Sequence, residues 1–280
     1  MKFTLALAQT DCAVGDLSRN IEKHMEYADR ARDRGASLVL FPELSLTGYT
    51  VRDMNWDLAI RAEKPDASLR PLLELSREIS IVAGGVEEGA DFGIYNSAFL
   101  FEGGVLRTVH RKIYPPTYGM FEEMRYFSRG SSVRAFDSRH GRLGVLICED
   151  LWHISLPYLL ALDGASALLG LAASPVRLSG EEADLTAQGV NQENHKGYAR
   201  LLSMYLAFCN RVGQEDGVSF WGGSELVGPD GNVEATSKLF EEDLILATLD
   251  DNEIRRSRRF SRHFLDEDRK LVLAEFQRLQ

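Results

Sequence analysis

The first half of the chain alternates short apolar runs with longer amphipathic stretches. Over residues 17–34 the apolar side chains recur every three or four positions, which predicts a helix, and Gly35 suits its C-terminal cap. Two later apolar runs flank Glu102-Gly103-Gly104, a sequence typical of a hairpin turn. The predicted elements of this half are strands over residues 3–9, 37–41, 81–86, 95–101 and 105–110, and helices over residues 17–34 and 68–79.

A long irregular stretch over residues 112–136 separates this half from a second one with a similar order. The predicted elements there are strands over residues 143–147, 168–172, near 218, 223–227 and 244–249, and helices over residues 156–163 and 198–210. The repeated order indicates an α/β fold with two mixed sheets and helices outside them, a four-layer αββα sandwich. We expect one domain over residues 1–280, with a charged helical tail from about residue 251 that is available to a partner subunit.

Composition narrows the classes of partner. The 280 residues are 44% hydrophobic and carry a net charge of -10, which disfavours nucleic-acid binding. The basic run RRSRRFSR at residues 255–262 has acidic flanks and predicts a solvated or interface helix. Three widely spaced cysteines and no apolar run of about 20 residues argue against a disulfide framework and a membrane span. We therefore expect a cytoplasmic protein.

Cys148 ends the apolar run LGVLI and precedes Glu149-Asp150. A nucleophile at the carboxyl end of a strand, on a tight turn into a helix, is exposed and rigidly held. Nearby positive charge and the helix N-terminus favour the thiolate of such a cysteine. By itself, the pattern also fits a buried structural cysteine.

Glu43 and Lys112 also follow predicted strands. A carboxylate among apolar neighbours suits a general base, and a buried ammonium can donate to a developing oxyanion. Alone, each residue also fits an ordinary capping or solvated charge. Since parallel strands place their carboxyl ends at one edge, we expect Glu43, Lys112 and Cys148 to meet in one pocket as base, oxyanion donor and nucleophile.

Three motifs containing these residues resemble those of the nitrilase (carbon–nitrogen hydrolase) superfamily and occur in the same order. They are FPELSLTGY with Glu43, HRKIYPPTYGMFEEMRYF with Lys112, and GVLICEDLW with Cys148. The resemblance covers nearly the whole chain, including FWGGSELVGPDG at residues 220–231. It implies the αββα sandwich, a Glu–Lys–Cys triad and a homodimer or larger homo-oligomer.

Within the superfamily, LTGYTVRD, PPTYGMFEEMRYF and CEDLW are most similar to the glutaminase domain of glutamine-dependent NAD synthetases. Nothing in the chain resembles the nucleotide loop of the synthetase domain. The resemblance therefore implies amide chemistry without NAD synthesis, and a separate ammonia-using synthetase is a candidate partner.

The same match implies further site residues. Glu123 corresponds to the family's second glutamate, which orients the lysine and the substrate, and the adjacent Glu122 is the alternative. Tyr118 and Glu149 are expected to line the substrate pocket, and the Glu149 backbone N–H is expected to be the second oxyanion donor.

Residues 171–198 depart from the glutaminase pattern, so the resemblance does not identify the substrate. Ser174 and Arg177 are expected substrate contacts in this region, with Arg177 binding a carboxylate or, alternatively, lying solvated at the surface. A papain-like pair of Cys148 with His153 is disfavoured because five residues along one turn give poor geometry. The group around Cys148 does not match a zinc pattern either, and we expect no metal and no cofactor.

The resulting expectation is hydrolysis of a small-molecule amide through a cysteine thioester, releasing ammonia or an amine. The alternatives are an ammonia-supplying glutaminase-like subunit, an N-carbamoyl amide hydrolase and an acyltransferase. A catalytically silent scaffold of the same fold is the non-enzymatic alternative.

Overall fold

The structure, a computed structural model, describes residues 2–179 and 182–279. Its strands are β1 (Lys2–Gln9), β2 (Leu38–Leu40), β3 (Ile60–Arg61), β4 (Ser80–Glu88), β5 (Ile94–Glu102), β6 (Val105–Arg111), β7 (Phe136–Ser138), β8 (Gly141–Ile147), β9 (Ala167–Ala172), β10 (Pro175–Ser179), β11 (Glu182–Asp184), β12 (Tyr205–Asn210), β13 (Val212–Glu215), β14 (Val218–Trp221), β15 (Glu225–Val227), β16 (Val233–Thr236) and β17 (Asp243–Asp250). Its α-helices are α1 (Leu17–Asp33), α2 (Asn55–Leu58), α3 (Arg70–Leu75), α4 (Ser155–Leu162), α5 (Thr186–Leu202), α6 (Asp251–Phe260) and α7 (Arg269–Leu279).

Two large mixed sheets form the centre of the molecule. The first has the order β17-β1-β2-β4-β5-β6, with β3 beside β4, and the second has the order β16-β15-β12-β9-β8-β7. The predicted hairpin is confirmed as the antiparallel pair of β5 and β6. A smaller sheet, β11-β10-β14-β13, was not predicted.

Strand alternation sorts the apolar side chains into three layers. In β8, Val145 and Ile147 pack between the two sheets, whereas Leu146 faces outward. The outer face of the first sheet packs on α1 and α3, and that of the second sheet packs on α4 and α5. Each fully buried leucine in these layers contributes roughly 1.5–3 kcal/mol. The predicted αββα sandwich is therefore confirmed.

The helix predicted over residues 198–210 is wrong. Helix α5 ends at Leu202, Ser203 adopts a left-handed backbone with a φ of 48°, and Tyr205–Asn210 forms the buried strand β12. Because β12 is buried on both faces, its apolar run carries no alternation that could distinguish strand from helix. The helix starts earlier, in a polar stretch whose residues Asn191 and His195 face inward.

Other boundaries differ less. The helix predicted over residues 68–79 is reduced to α3, which follows a turn of 3₁₀-helix over Ala67–Leu69. The charged tail is helical as predicted, in α6 and α7. Within the ranges that the structure describes, no helix has the length and apolar character required to cross a bilayer.

Candidate active site

The three residues expected to act together do follow strands, but the strands belong to two sheets. Glu43 comes shortly after β2 and Lys112 directly after β6, both in the first sheet, while Cys148 directly follows β8 in the second. Strand β4 is parallel to β2, and β5 is antiparallel to both β4 and β6, so β2 and β6 end at the same edge. The three residues therefore come from two facing sheets, since the strand that precedes Cys148 belongs to the second sheet.

The turn that carries Glu43 is tightly packed on β4. Leu44 has a φ of 50°, and a Cβ atom on Gly84 would lie 2.4 Å from the Leu44 backbone nitrogen, so only glycine fits at position 84. The Glu43 side chain is buried, with Oε1 accepting from Asn96 Nδ2 (2.7 Å) and Oε2 accepting from the Ala173 backbone N–H (2.9 Å). These bonds fix the orientation of the carboxylate.

Lys112 is completely enclosed. Its Nζ donates to Glu43 Oε1 at 2.7 Å and to Glu123 Oε1 at 2.8 Å. Burial by itself lowers the pKa of the ammonium, but the carboxylates of Glu123 and Glu43 outweigh it and hold this pKa well above its usual value. Lys112 is therefore a permanent cation at the centre of the cluster.

Of the two adjacent glutamates, Glu123 faces the cluster and Glu122 is exposed. Glu123 Oε1 also accepts from the Tyr49 hydroxyl at 2.6 Å, while its Oε2 is buried without a hydrogen-bond partner. Burial raises the pKa of Glu123 to about 7 against the pull of Lys112, and the charge of Glu43 adds to the rise. Two buried carboxylates share one ammonium here, so their charges are incompletely balanced.

Cys148 begins the 3₁₀-helix Cys148–Trp152 with a φ of 47°. Its Sγ lies 3.8 Å from Ser174 Oγ. Burial raises the pKa of the thiol, and the Glu43 carboxylate raises it further. The expected thiolate is therefore disfavoured at rest, because these effects outweigh the attraction of Lys112. A nucleophile in this state needs a base to remove its proton as it attacks.

The other predicted contacts lie around Cys148. The Tyr118 hydroxyl donates to Glu149 Oε2 at 2.7 Å, although Tyr118 is 59% exposed. Ser174 is buried next to Cys148, and its backbone N–H donates to Asn210 Oδ1. Arg177 lies in β10, but its side chain is outside the part of the chain that the structure describes.

The sequence reasoning missed three groups that hold the cluster together. Asn96 and the Ala173 N–H fix Glu43, and Tyr49 fixes Glu123. Tyr49 stands within the first family motif, which could have drawn attention to it. Asn96 lies within a strand, and nothing in the sequence around it indicates a functional role.

A cavity of about 360 Å³ adjoins Glu123. Its walls include Tyr49, Phe121, Tyr126 and Phe127, and its rim includes the ion pair of Arg52 with Asp216. A space of this size suits a small molecule, and its lining combines aromatic with charged side chains.

Comparisons with known proteins agree with this geometry. The sequence profile described as Carbon-nitrogen hydrolase matches residues 4–259. A glutamine-dependent NAD(+) synthetase of Thermotoga maritima is 33% identical over 256 residues, which cover 89% of this chain and 42% of that protein. The chain thus spans less than half the length of this curated relative.

Two solved structures match along nearly their whole length. A carbon-nitrogen hydrolase from Helicobacter pylori G27 superposes with a TM-score of 0.88 at 24% identity, covering 99% of both chains, and supports the fold. An amidase from Nesterenkonia sp. AN1 gives a TM-score of 0.76 at 26% identity over 97% of this chain and 96% of its own. That structure is of a glutamate-to-glutamine mutant of the amidase, and it shows the acetamide moiety of fluoroacetamide covalently added at the active-site cysteine. On the extent of the profile match, this chain belongs to the carbon-nitrogen hydrolase family.

Proposed function

We propose that this protein hydrolyses a small-molecule amide through a thioester on Cys148. The observation that carries the proposal is the buried Lys112 ammonium, held between the carboxylates of Glu43 and Glu123 beside the turn of Cys148. Burial of one cation and two carboxylates is costly, and such groups are characteristic of functional sites. The cysteine adduct of the Nesterenkonia amidase supports the same assignment of the nucleophile.

The first half-reaction follows from the protonation states. Glu43 accepts the thiol proton while Cys148 Sγ bonds to the amide carbonyl carbon, and the carbonyl π electrons move to oxygen. The Lys112 ammonium and the Glu149 backbone N–H donate to this oxyanion. When the tetrahedral intermediate collapses, the carbon–nitrogen bond breaks and Glu43 returns the proton to the leaving nitrogen, which departs as ammonia or an amine.

The second half-reaction uses the same groups. Glu43 accepts a proton from water, the hydroxide oxygen bonds to the thioester carbon, and the carbon–sulfur bond breaks. The proton held by Glu43 returns to the sulfur, leaving a carboxylic acid and the starting enzyme. Glu123 keeps the Lys112 ammonium in place in both steps through its 2.8 Å contact.

A second candidate is an ammonia-supplying subunit that acts on glutamine for a separate synthetase. The similarity to part of a glutamine-dependent NAD(+) synthetase favours it. The two candidates share the chemistry at Cys148 and differ in the amide and in the fate of the ammonia.

The test is an ammonia-release assay over glutamine, its 2-oxo analogue, an N-carbamoyl amino acid and propionamide. We expect turnover with at least one of them and its loss, by at least about 10³-fold, in Cys148→Ala. Cys209→Ala is the matched control, because Cys209 is buried between the sheets and its thiol contacts the Leu40 carbonyl. Ammonia release that survives Cys148→Ala would refute the mechanism, and an inactive wild type would favour the scaffold.

A further inference from the structure

Asp150 is a completely buried carboxylate two residues after Cys148. Its Oδ1 accepts from the backbone N–H groups of Ile113 (3.0 Å) and Tyr114 (2.9 Å). Its Oδ2 accepts from the Ile147 N–H (3.2 Å). The mechanism above uses none of these bonds.

The donors come from two separate segments of the chain. Ile113 and Tyr114 directly follow Lys112, beyond the end of β6 in the first sheet, and Ile147 is the last residue of β8 in the second sheet. One carboxylate therefore joins the backbone next to the lysine to the backbone next to the nucleophile. His110, on β6, also contacts this carboxylate, with its Nε2 lying 3.5 Å from Asp150 Oδ2.

We propose that Asp150 is a positioning residue that sets the Lys112 ammonium against the Cys148 turn. The inference rests on the proposed function, since it concerns the placement of the oxyanion donor. The two sheets pack through apolar side chains, which resist sliding only weakly because apolar contact is non-directional. The bonds from Ile113 and Tyr114 cross between the two segments, and the bond from Ile147 holds the carboxylate within its own turn. Together they fix the relative position of the segments, and a misplacement of about 1 Å in an active site can cost about 100-fold in rate.

Glu102 provides a matched comparison at the opposite ends of the same strands. It is the last residue of β5, is 9% exposed, and accepts through both oxygens from the backbone N–H of Arg139, just before β8. Glu102 therefore also joins the first sheet to the segment that enters the second. Glu102→Gln replaces the charged acceptor of a similar bond by a neutral one and leaves the segments of Lys112 and Cys148 unchanged.

The experiment compares Asp150→Asn with Glu102→Gln in the full chain. The asparagine amide group has one oxygen, so at least one of the three backbone N–H groups loses its acceptor. Using the amide that gives the fastest ammonia release, we expect kcat of D150N to fall about 10- to 100-fold with KM within about threefold. We expect E102Q to keep the wild-type kcat within about threefold, even if its melting temperature is lower than that of wild type.

A second reaction separates positioning from general damage. Alkylation of Cys148 by iodoacetamide forms no oxyanion, so it depends less on the lysine than hydrolysis does. We expect the alkylation rate of D150N to stay within about threefold of wild type while hydrolysis falls. A third variant, D150E, keeps the charge and is one methylene longer, which covers the case in which D150N does not fold. It is expected to lose kcat in the same range.

Equal hydrolysis by D150N and wild type would overturn the positioning role alone. Parallel loss of hydrolysis and alkylation would overturn it as well, because that pattern indicates general disruption. So would failure of both D150N and D150E to fold. A wild type that releases no ammonia from any amide would overturn the proposed function together with this inference.

Discussion

Two buried cations, Lys112 and Arg211, have similar surroundings and different consequences. Each lies between two carboxylates, Glu43 and Glu123 for the lysine and Glu215 and Asp11 for the arginine. Both cations are almost completely buried. A count of charges alone would therefore not tell the two clusters apart.

The surroundings of Arg211 compensate its charge. Its guanidinium also donates to the Cys12 carbonyl and stacks 4.3 Å from the ring centroid of Phe220, and its partner Asp11 is 46% exposed. Burial raises the pKa of Glu215, but the charge of Arg211 and the hydrogen bonds from Arg211 and Thr50 together outweigh it, and the net pKa is lowered. This cluster is a satisfied ion pair with a second carboxylate in solvent.

The cluster of Lys112 is compensated incompletely. Both of its carboxylates are buried, the pKa of Glu123 is raised, and Glu123 Oε2 has no partner. The Cys148 thiol follows β8 in the facing sheet. This difference supports the proposed active site, because uncompensated buried charge next to a thiol is more typical of functional sites than of structural ion pairs.

The largest expected effect is the difference in kcat between Lys112→Met and Arg211→Met, which tests the distinction between the two clusters. Without the ammonium the oxyanion loses a charged donor, so kcat should fall by about 10²- to 10³-fold. Removal of Arg211 should cost roughly 3–5 kcal/mol of unfolding free energy, but less than about tenfold in kcat of the folded protein. Ammonia release and denaturant unfolding measure the two quantities.

Equal losses of kcat in the two variants would contradict the distinction between the clusters. Lys112→Arg is the control for charge, since it keeps a cation but replaces the compact ammonium by a planar guanidinium. It should recover less than the full rate, because the site encloses Nζ at 2.7 and 2.8 Å from its partners.

The proposed catalytic cluster was easier to predict from sequence than the fold around it. Glu43, Lys112 and Cys148 stand in motifs with distinctive chemistry, and each follows a recognisable apolar run. Their meeting across two sheets was not predictable, because a run of apolar residues specifies a strand but not its sheet. The bond from Asn96 to Glu43 joins two segments of the first sheet that are 53 residues apart in sequence, so it has no local signature and was missed.

The second half of the fold was the least predictable. Asn191 and His195 occupy the inward face of α5, where a hydrophobic pattern predicts apolar residues. His195 Nδ1 contacts the Oε1 atom of the buried Glu225 carboxylate there at 2.7 Å. Long-range pairing of this kind has no local signature, so the helix was placed too late in the chain.

An intermediate effect is expected from Glu123→Gln. It is measured as a change in the pH dependence of the unfolding free energy. The folded-state pKa of Glu123, about 7, lies above its ordinary value of 4.5. The protonated form is therefore favoured by folding, and its contribution is full below about pH 4.5 and lost as the pH rises to about 7. The unfolding free energy of wild type should fall over this range relative to E123Q, by up to about 3 kcal/mol.

Urea unfolding at pH 4.5, 5.5, 6.5 and 7.5 measures this difference. Glu122→Gln is the matched control, since Glu122 is adjacent and exposed and should give a pH-independent offset. A difference between wild type and E123Q that stays constant over the range would show that Glu123 is ionised throughout, as in the compensated cluster of Arg211.

The smallest effect is expected from Tyr118→Phe at the rim of the site. Tyr118 donates to Glu149 but is 59% exposed, so water competes for the bond and its loss should cost no more than about 1 kcal/mol. Burial raises the pKa of Tyr118, and the Glu149 carboxylate raises it further, so the hydroxyl remains a donor at neutral pH. We expect KM to rise about two- to fivefold with kcat unchanged, because a group that only lines the pocket contributes equally to the ground state and the transition state.

Tyr95→Phe, which removes a similar bond to Asp91 in the hairpin between β4 and β5, is the control and should leave both constants unchanged. A fall in kcat with an unchanged KM would instead place Tyr118 among the groups that act on the transition state, and would extend the cluster of Lys112 outward to the rim.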